Sequence, residues 1–181
     1  VFEKLPGKPQ RFTAFNINPW WVLSPGLWCY QENPLIGADE AATRKNIEHY
    51  AARVKRQGYN MVRLQSVEMN LVDNKASDEP VFNPGNVDRF EYLIHCLKRE
   101  GIYLNMDMAA YKVYARGAWN EGELRKYGER FLLDTASRAI YEKGVRLLMT
   151  HKNPYTGLSL AEDPALALIT FYNEQDIPIE L

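Results

Sequence analysis

The sequence predicts an α/β fold of the (β/α)8 barrel type, with about four of the eight strand–helix units carried by residues 1–181. Three observations predict it. The run Ala165-Leu-Ala-Leu-Ile-Thr-Phe-Tyr172 is apolar at seven of eight positions and breaks into Asn173-Glu174-Gln175-Asp176. That pattern suits a strand buried on both faces by helices, with carboxylates at its C-terminal end. Lys55-Arg-Gln-Gly58 and Lys98-Arg-Glu-Gly101 each place cations in a last helical turn and glycine just past it, then enter an apolar strand. The two copies are 43 residues apart, too far for a hairpin and right for parallel crossovers.

The elements follow in order. Arg11 to Ile17 reads as a first strand, then a Pro- and Trp-rich loop runs from Asn18 to about Gly37. Asp39 caps a helix to about Gln57, with Ile47, Tyr50, Ala51 and Val54 on one face. Tyr59 to Gln65 is the second strand. A polar loop from Asp73 to Asn86 leads to a second helix with the stripe Phe90, Leu93, Ile94 and Leu97, ending at Gly101. Ile102 to Asp107 is the third strand. The stretch from Gly117 to Thr150 reads as helix broken near Gly128, followed by a loop at Asn153-Pro-Tyr-Thr-Gly157. Asp163-Pro164 introduces the fourth strand.

A whole barrel needs eight strands and roughly 250 residues. The chain therefore fits either a complete four-stranded α/β domain or the N-terminal half of a barrel. The start at Val1 without Met and the stop at Ile177-Pro-Ile-Glu-Leu181 favour the half-barrel, with any targeting segment out of view.

Composition excludes several classes. At 46% apolar and 25% charged residues, with net charge −1, nothing supports nucleic-acid or anionic-membrane binding. No stretch reaches about 18 uninterrupted apolar residues, so no membrane span is expected. Cys29 and Cys96 make no metal motif, and both are expected as free thiols, Cys96 as a small core residue. His49, His95 and His151 fall in or at the ends of helices, away from the strand ends. There is no HExxH, no Gly-rich phosphate loop and no GxSxG elbow, so neither metal nor cofactor is expected.

Chemistry is expected where the strands end. Partial desolvation beside Phe171 and Tyr172 would favour the protonated form of Glu174, which suits a general acid; the plain alternative is a strand-end ion pair. Asp176 is a weaker rival. Asn173 can both donate to and accept from a sugar hydroxyl. Arg63, embedded in Met61-Val-Arg-Leu64, requires a carboxylate partner, with Glu68, Asp107 and Glu174 as candidates. Asp107 reads equally as scaffold or ligand contact; Asn105 lies beside it near the end of the third strand, and Glu68 and Asn70 follow the second. Trp20, Trp21, Trp28, Tyr111, Tyr114 and Trp119 follow strands one and three, on the face of Glu174, where aromatic rings stack on sugars or anchor loops.

Together, Gly58-Tyr-Asn-Met-Val-Arg-Leu64, Gly101-Ile-Tyr-Leu-Asn-Met-Asp107 and the Tyr172-Asn-Glu174 strand end resemble the clan A glycoside hydrolases, closest to family 5, the cellulase- and mannanase-like enzymes. The resemblance implies a retaining glycosidase acting on a poly- or oligosaccharide, with Glu174 as acid/base, Asn173 on the 2-hydroxyl and Arg63 supporting the nucleophile. The aromatic residues Trp21, Tyr111 and Trp119 are expected to contact substrate, and the resemblance favours a secreted or periplasmic location. Two departures stand out. Where family members often carry His after strand three, this chain has Met108-Ala-Ala110. The family's nucleophilic Glu ends strand seven, which lies beyond these residues, so the isolated chain is expected to be inactive. The rival readings are a non-catalytic carbohydrate-binding or scaffold protein with a barrel-like fold, and a small complete α/β domain with an unrelated ligand. A half-barrel would expose strand edges and self-associate or pair with its missing half.

Overall fold

The computed structural model describes residues 3–23, 35–71, 80–108, 135–171 and 173. Strands β1 (Glu3–Leu5) and β2 (Lys8–Pro9) form a small antiparallel hairpin that the sequence did not announce. The main sheet holds β3 (Ala14–Ile17), β4 (Met61–Leu64), β5 (Tyr103–Asp107) and β6 (Leu166–Thr170), all parallel and in chain order. Between them lie α1 (Pro19–Leu23), α2 (Glu40–Arg56), α3 (Val67–Leu71), α4 (Pro84–Arg99) and α5 (Thr135–Thr150). This is the expected strand–helix alternation. The first of the two expected helical pieces, before Gly128, falls outside the described residues.

Helices α2 and α4 start on a side-chain cap. Asp39 Oδ1 accepts from Ala42 N at 2.7 Å, and Asn83 Oδ1 accepts from Asn86 N at 3.0 Å. The second cap corrects the expected boundary: Asn83-Pro84 opens α4 inside the stretch read as polar loop, because proline at the first helical position needs no N–H partner. Both helices end on the predicted glycines, Gly58 (φ 89°) and Gly101 (φ 70°), in the left-handed region where a Cβ is strained.

The first strand is shorter than expected. Asn60 occupies the place of a ladder partner: its Nδ2 donates to Arg11 O at 2.8 Å and its Oδ1 accepts from Thr13 N at 2.8 Å. Residues 11–13 are thus tied to the base of β4 by a side chain, and regular pairing begins only at Ala14↔Met61.

Alternation along the strands separates two faces. Val62, Leu64, Leu104 and Met106 are buried in one apolar cluster with Ile47, Val54, Phe90, Leu93, Ile94 and Leu97 of α2 and α4. Cys96 is buried there too, as a free thiol, while Cys29 lies outside the described residues. On the opposite face Asn16 is exposed and Arg63 and Asn105 are half-buried, while Met61 and Asp107 are buried. The expectation that the fourth strand is buried on both faces does not hold. β6 ends the strand order, and Leu168 is 39% and Ile169 41% exposed.

On the outside, Arg44 of α2 sits 4.7 Å from the Tyr92 ring centroid and 5.2 Å from that of Tyr155. It donates to Asp88 at 2.9 Å and to the Tyr155 hydroxyl at 2.7 Å, and that hydroxyl donates to Asp88. The cluster joins α2, α4 and the loop after α5. No helix among the described residues is long and apolar enough to cross a membrane.

Glu91 of α4 lies under this loop, 3.1 Å from His151 Nε2 and beside a narrow apolar cleft lined by Phe82, Phe90 and Leu148. Burial, and secondarily the charge of Asp88, pushes its pKa from the ordinary 4.5 up to about 7. The folded chain therefore keeps this proton longer than the unfolded one. Its contribution to stability is full below pH 4.5 and is lost as pH rises through about 7. Urea denaturation across this range should show the unaltered chain losing stability relative to Glu91→Gln as pH rises; parallel pH profiles would refute the assignment.

Candidate active site

The C-terminal ends of the four parallel strands point the same way, and polar side chains gather there. Register pairs Asn16 with Arg63 and Arg63 with Asn105, and Asn105 with Leu168, so these positions form a row across the less covered face. Asn16 Nδ2 donates to Gln65 Oε1 at 2.6 Å, and Thr170 Oγ1 donates to Asn105 Oδ1 at 3.5 Å.

Arg63 is the centre of the site. Among its expected partners Asp107 meets it, accepting from Arg63 Nε at 3.1 Å and from Nη2 at 2.7 Å, while Glu174 lies outside the described residues. The Asp107 side chain is wholly buried, whereas that of Arg63 remains 33% exposed. A carboxylate held in this way stands on hydrogen bonds that satisfy its charge, with a two-pronged geometry that a guanidinium matches and an ammonium does not. Arg63 Nη2 also donates to Asn173 Oδ1, which draws the chain just past β6 to the same point. Arg63, Asp107 and Asn173, 44 and 110 residues from Arg63 along the chain, are thereby assembled at one end of the sheet.

Other calls fall differently. Glu68 and Asn70 are buried on α3, directly after β4, and Arg63 turns from them to Asp107. The chain reaches α3 through Ser66, whose φ of 57° is uncommon for a residue with a Cβ. Trp20 and Trp21 belong to α1, whereas Trp28, Tyr111, Tyr114, Trp119, Tyr172, Glu174 and Asp176 lie outside the described residues. Phe171, expected to help desolvate Glu174, is 69% exposed. Among the described residues no group of three or more His, Cys, Asp or Glu is placed to hold a metal. His49 lies on α2, His95 on α4 and His151 just after α5.

One contributor was missed. Tyr141 of α5 donates its hydroxyl to the Phe171 carbonyl at 2.7 Å, two residues before Asn173. Burial, with the carboxylate of Glu68 adding to it, pushes this hydroxyl up to about 12, so it stays a donor. The available signal was a tyrosine within the apolar side of a helix, whose hydroxyl must find a partner when buried.

No protein-family model matches the chain. It is 22% identical over 175 residues to mannan endo-1,4-beta-mannosidase 3 of Oryza sativa subsp. japonica, covering 93% of this chain and 34% of that protein. In structure it is similar to the endo-1,4-beta-mannanase of Rhizomucor miehei, with TM-score 0.64 and 18% identity over 94% of this chain and 46% of that one. It is likewise similar to the glycoside hydrolase family 5 mannosidase of Rhizomucor miehei, with TM-score 0.65 and 17% identity over 94% of this chain and 46% of that one. The endo-1,4-beta-D-mannanase of Thermotoga petrophila RKU-1 superposes with TM-score 0.60 and 20% identity over 91% of this chain and 45% of that one. The chain thus has the fold of part of a (β/α)8 barrel and resembles the clan A glycoside hydrolases of family 5. It spans about a third of the length of the curated relative and just under half of the solved structures.

If Tyr141 anchors the end of β6, Tyr141→Phe should lower stability by about 1 kcal/mol, the usual scale of one lost buried hydrogen bond. Chemical denaturation reads this directly, and an unchanged midpoint would dismiss the anchor.

Proposed function

We propose that the chain is the N-terminal part of the catalytic barrel of a retaining glycoside hydrolase acting on the O-glycosidic bonds of a poly- or oligosaccharide. Within that reading Glu174 is the general acid/base, Asn173 binds the 2-hydroxyl of the sugar, and Arg63 orients the nucleophilic carboxylate. Trp21, Tyr111 and Trp119 line the substrate path. The observation that supports it most is the hydrogen-bonded assembly of Arg63, Asp107 and Asn173 at the C-terminal ends of parallel strands, where barrels of this kind work. Because the proteins it resembles are named as 1,4-beta-mannosidases and mannanases, a β-1,4-linked mannan is the first substrate to try.

The chemistry is a double displacement. A nucleophilic carboxylate, proposed to come from a later strand outside residues 1–181, attacks the anomeric carbon while Glu174 protonates the departing oxygen. Glu174, now a carboxylate, then removes a proton from the water that releases the sugar. The nucleophile must stay ionised throughout, which N–H donors from Arg63 would favour.

In the full-length protein, Glu174→Gln should slow cleavage of a chromogenic β-1,4-manno- or gluco-oligosaccharide by orders of magnitude. Turnover close to that of the unaltered protein would exclude the acid/base role. Sugar binding with no hydrolysis by the unaltered protein would favour the non-catalytic reading, which the replacement of the family's frequent histidine by Met108-Ala-Ala110 supports.

The apolar side chains exposed along β6, the last strand of the sheet, support a further part of this reading: the 181-residue chain alone self-associates or captures the remainder of the barrel. Sedimentation of the isolated chain should show dimers or larger species; a monomer at high concentration would argue against it.

A further inference from the structure

We propose that Asp107 is a positioning residue: its buried carboxylate selects the edge that Arg63 presents to the strand ends, and through Arg63 it sets the orientation of the Asn173 amide. The inference rests on the glycosidase reading and deepens it.

A guanidinium has five N–H donors in a rigid plane, one on Nε and two on each Nη. Asp107 takes the Nε–H at 3.1 Å and one Nη2–H at 2.7 Å. The other Nη2–H goes to Asn173 Oδ1. The side edge of the group and the whole of Nη2 are therefore committed within the sheet. What is left is Nη1, on the end edge next to Asn173, where an incoming carboxylate would meet it. Asn173 is fixed by the same bond.

Asp107 fits the anchoring role because it is the wholly buried member of the trio, at the end of a strand paired on both sides. Arg63 is a long side chain, a third exposed, and without a carboxylate on its side edge its end edge competes for the same partners. The pair also has no net charge. What Arg63 offers a nucleophile is then an aimed N–H more than an uncompensated positive field. The two roles have opposite signatures. Removing a mere counter-charge leaves a stronger positive field and moves the acidic limb of the rate profile to lower pH. Removing a positioning group withdraws the aimed donor and moves that limb to higher pH.

The test is a cycle of Asp107→Asn, Arg63→Gln and the double variant in the full-length protein, assayed on chromogenic β-1,4-manno- and gluco-oligosaccharides, with Glu174→Gln as control. Each single variant should lower kcat on the order of 100-fold, the scale of losing one preorganised donor, and change KM by less than about threefold. The acidic limb should move to higher pH. The double variant should match Arg63→Gln within about threefold, since Asp107 acts only through Arg63. Losses that multiply to about 10,000-fold would overturn the proposal. So would an acidic limb moved to lower pH, or a lowered melting temperature with kcat and pH profile intact. If Asp107→Asn alone does not fold, Arg63→Gln against the double variant, which leaves no unpaired ion, still decides: a further tenfold loss or more overturns it. Should the unaltered protein cleave neither sugar, the glycosidase reading falls and this inference with it; should Glu174→Gln retain activity, Glu174 loses the acid/base role and the cycle still decides that of Asp107. An inactive Glu174→Gln with an additive cycle rejects the role of Asp107 alone.

Discussion

A guanidinium in the middle of a parallel strand has to be compensated, and the way β4 meets that demand organises the sheet's C-terminal end. Val62 and Leu64 face the helices, so the two-residue period of a strand sends Arg63 to the other face. There its register partner is Asn105. Asp107 lies two positions further on, about 6.6 Å along β5, which is the direction and distance that a long side chain can cover. The ion pair is thus a product of register. A slip by one residue would put Arg63 against the apolar helices and Asp107 out of reach. Asn173 then joins the pair, and the end of β6 is drawn in with it.

The opposite end of the sheet is devoted to holding the strands in that register. Gly58 and Gly101 turn each helix into the following strand, and the backbone of Asn60 accepts from Tyr103 N at 2.9 Å while its side chain secures residues 11–13. Lys98 of α4 reaches Asp163 at 2.9 Å, and Asp163 in turn accepts from Ala165 N at 2.9 Å, where the chain enters β6. Each strand therefore starts from a polar clamp, and Arg63, Asp107 and Asn173 stand at the far end of strands whose beginnings are fixed.

Much of this was legible in the residues. The repeated cation–glycine–strand pattern predicted parallel order, because copies 43 residues apart are too far for a hairpin and right for a crossover. Arg63 announced a buried partner, since an apolar strand tolerates no isolated charge. What could not be read was which carboxylate would answer. Glu68 and Asp107 are equivalent in sequence, and the strand register brings Asp107 to Arg63, while Glu174 lies outside the described residues. The burial of β6 was misjudged for a related reason: an apolar run records what a strand is suited to contact, whereas exposure depends on its place in the sheet, here the end of the order. Asn60 shortened β3 by substituting a side chain for backbone pairing, which no strand pattern shows. The Tyr141 hydroxyl found the Phe171 carbonyl across a distance of 30 residues, beyond the reach of any local motif.

The Arg44 cluster has a consequence for how such a chain can change over generations. Stacked between Tyr92 and Tyr155 and bonded to Asp88, Arg44 knits two helices and a basal loop together on the outer surface. None of its members belongs to the segments that follow the strands. Insertions, deletions and side-chain swaps in those segments leave this rivet untouched, so drift at the rim is insulated from the frame. A lineage built on such a frame is free to vary its strand-end segments without first having to rebuild its architecture.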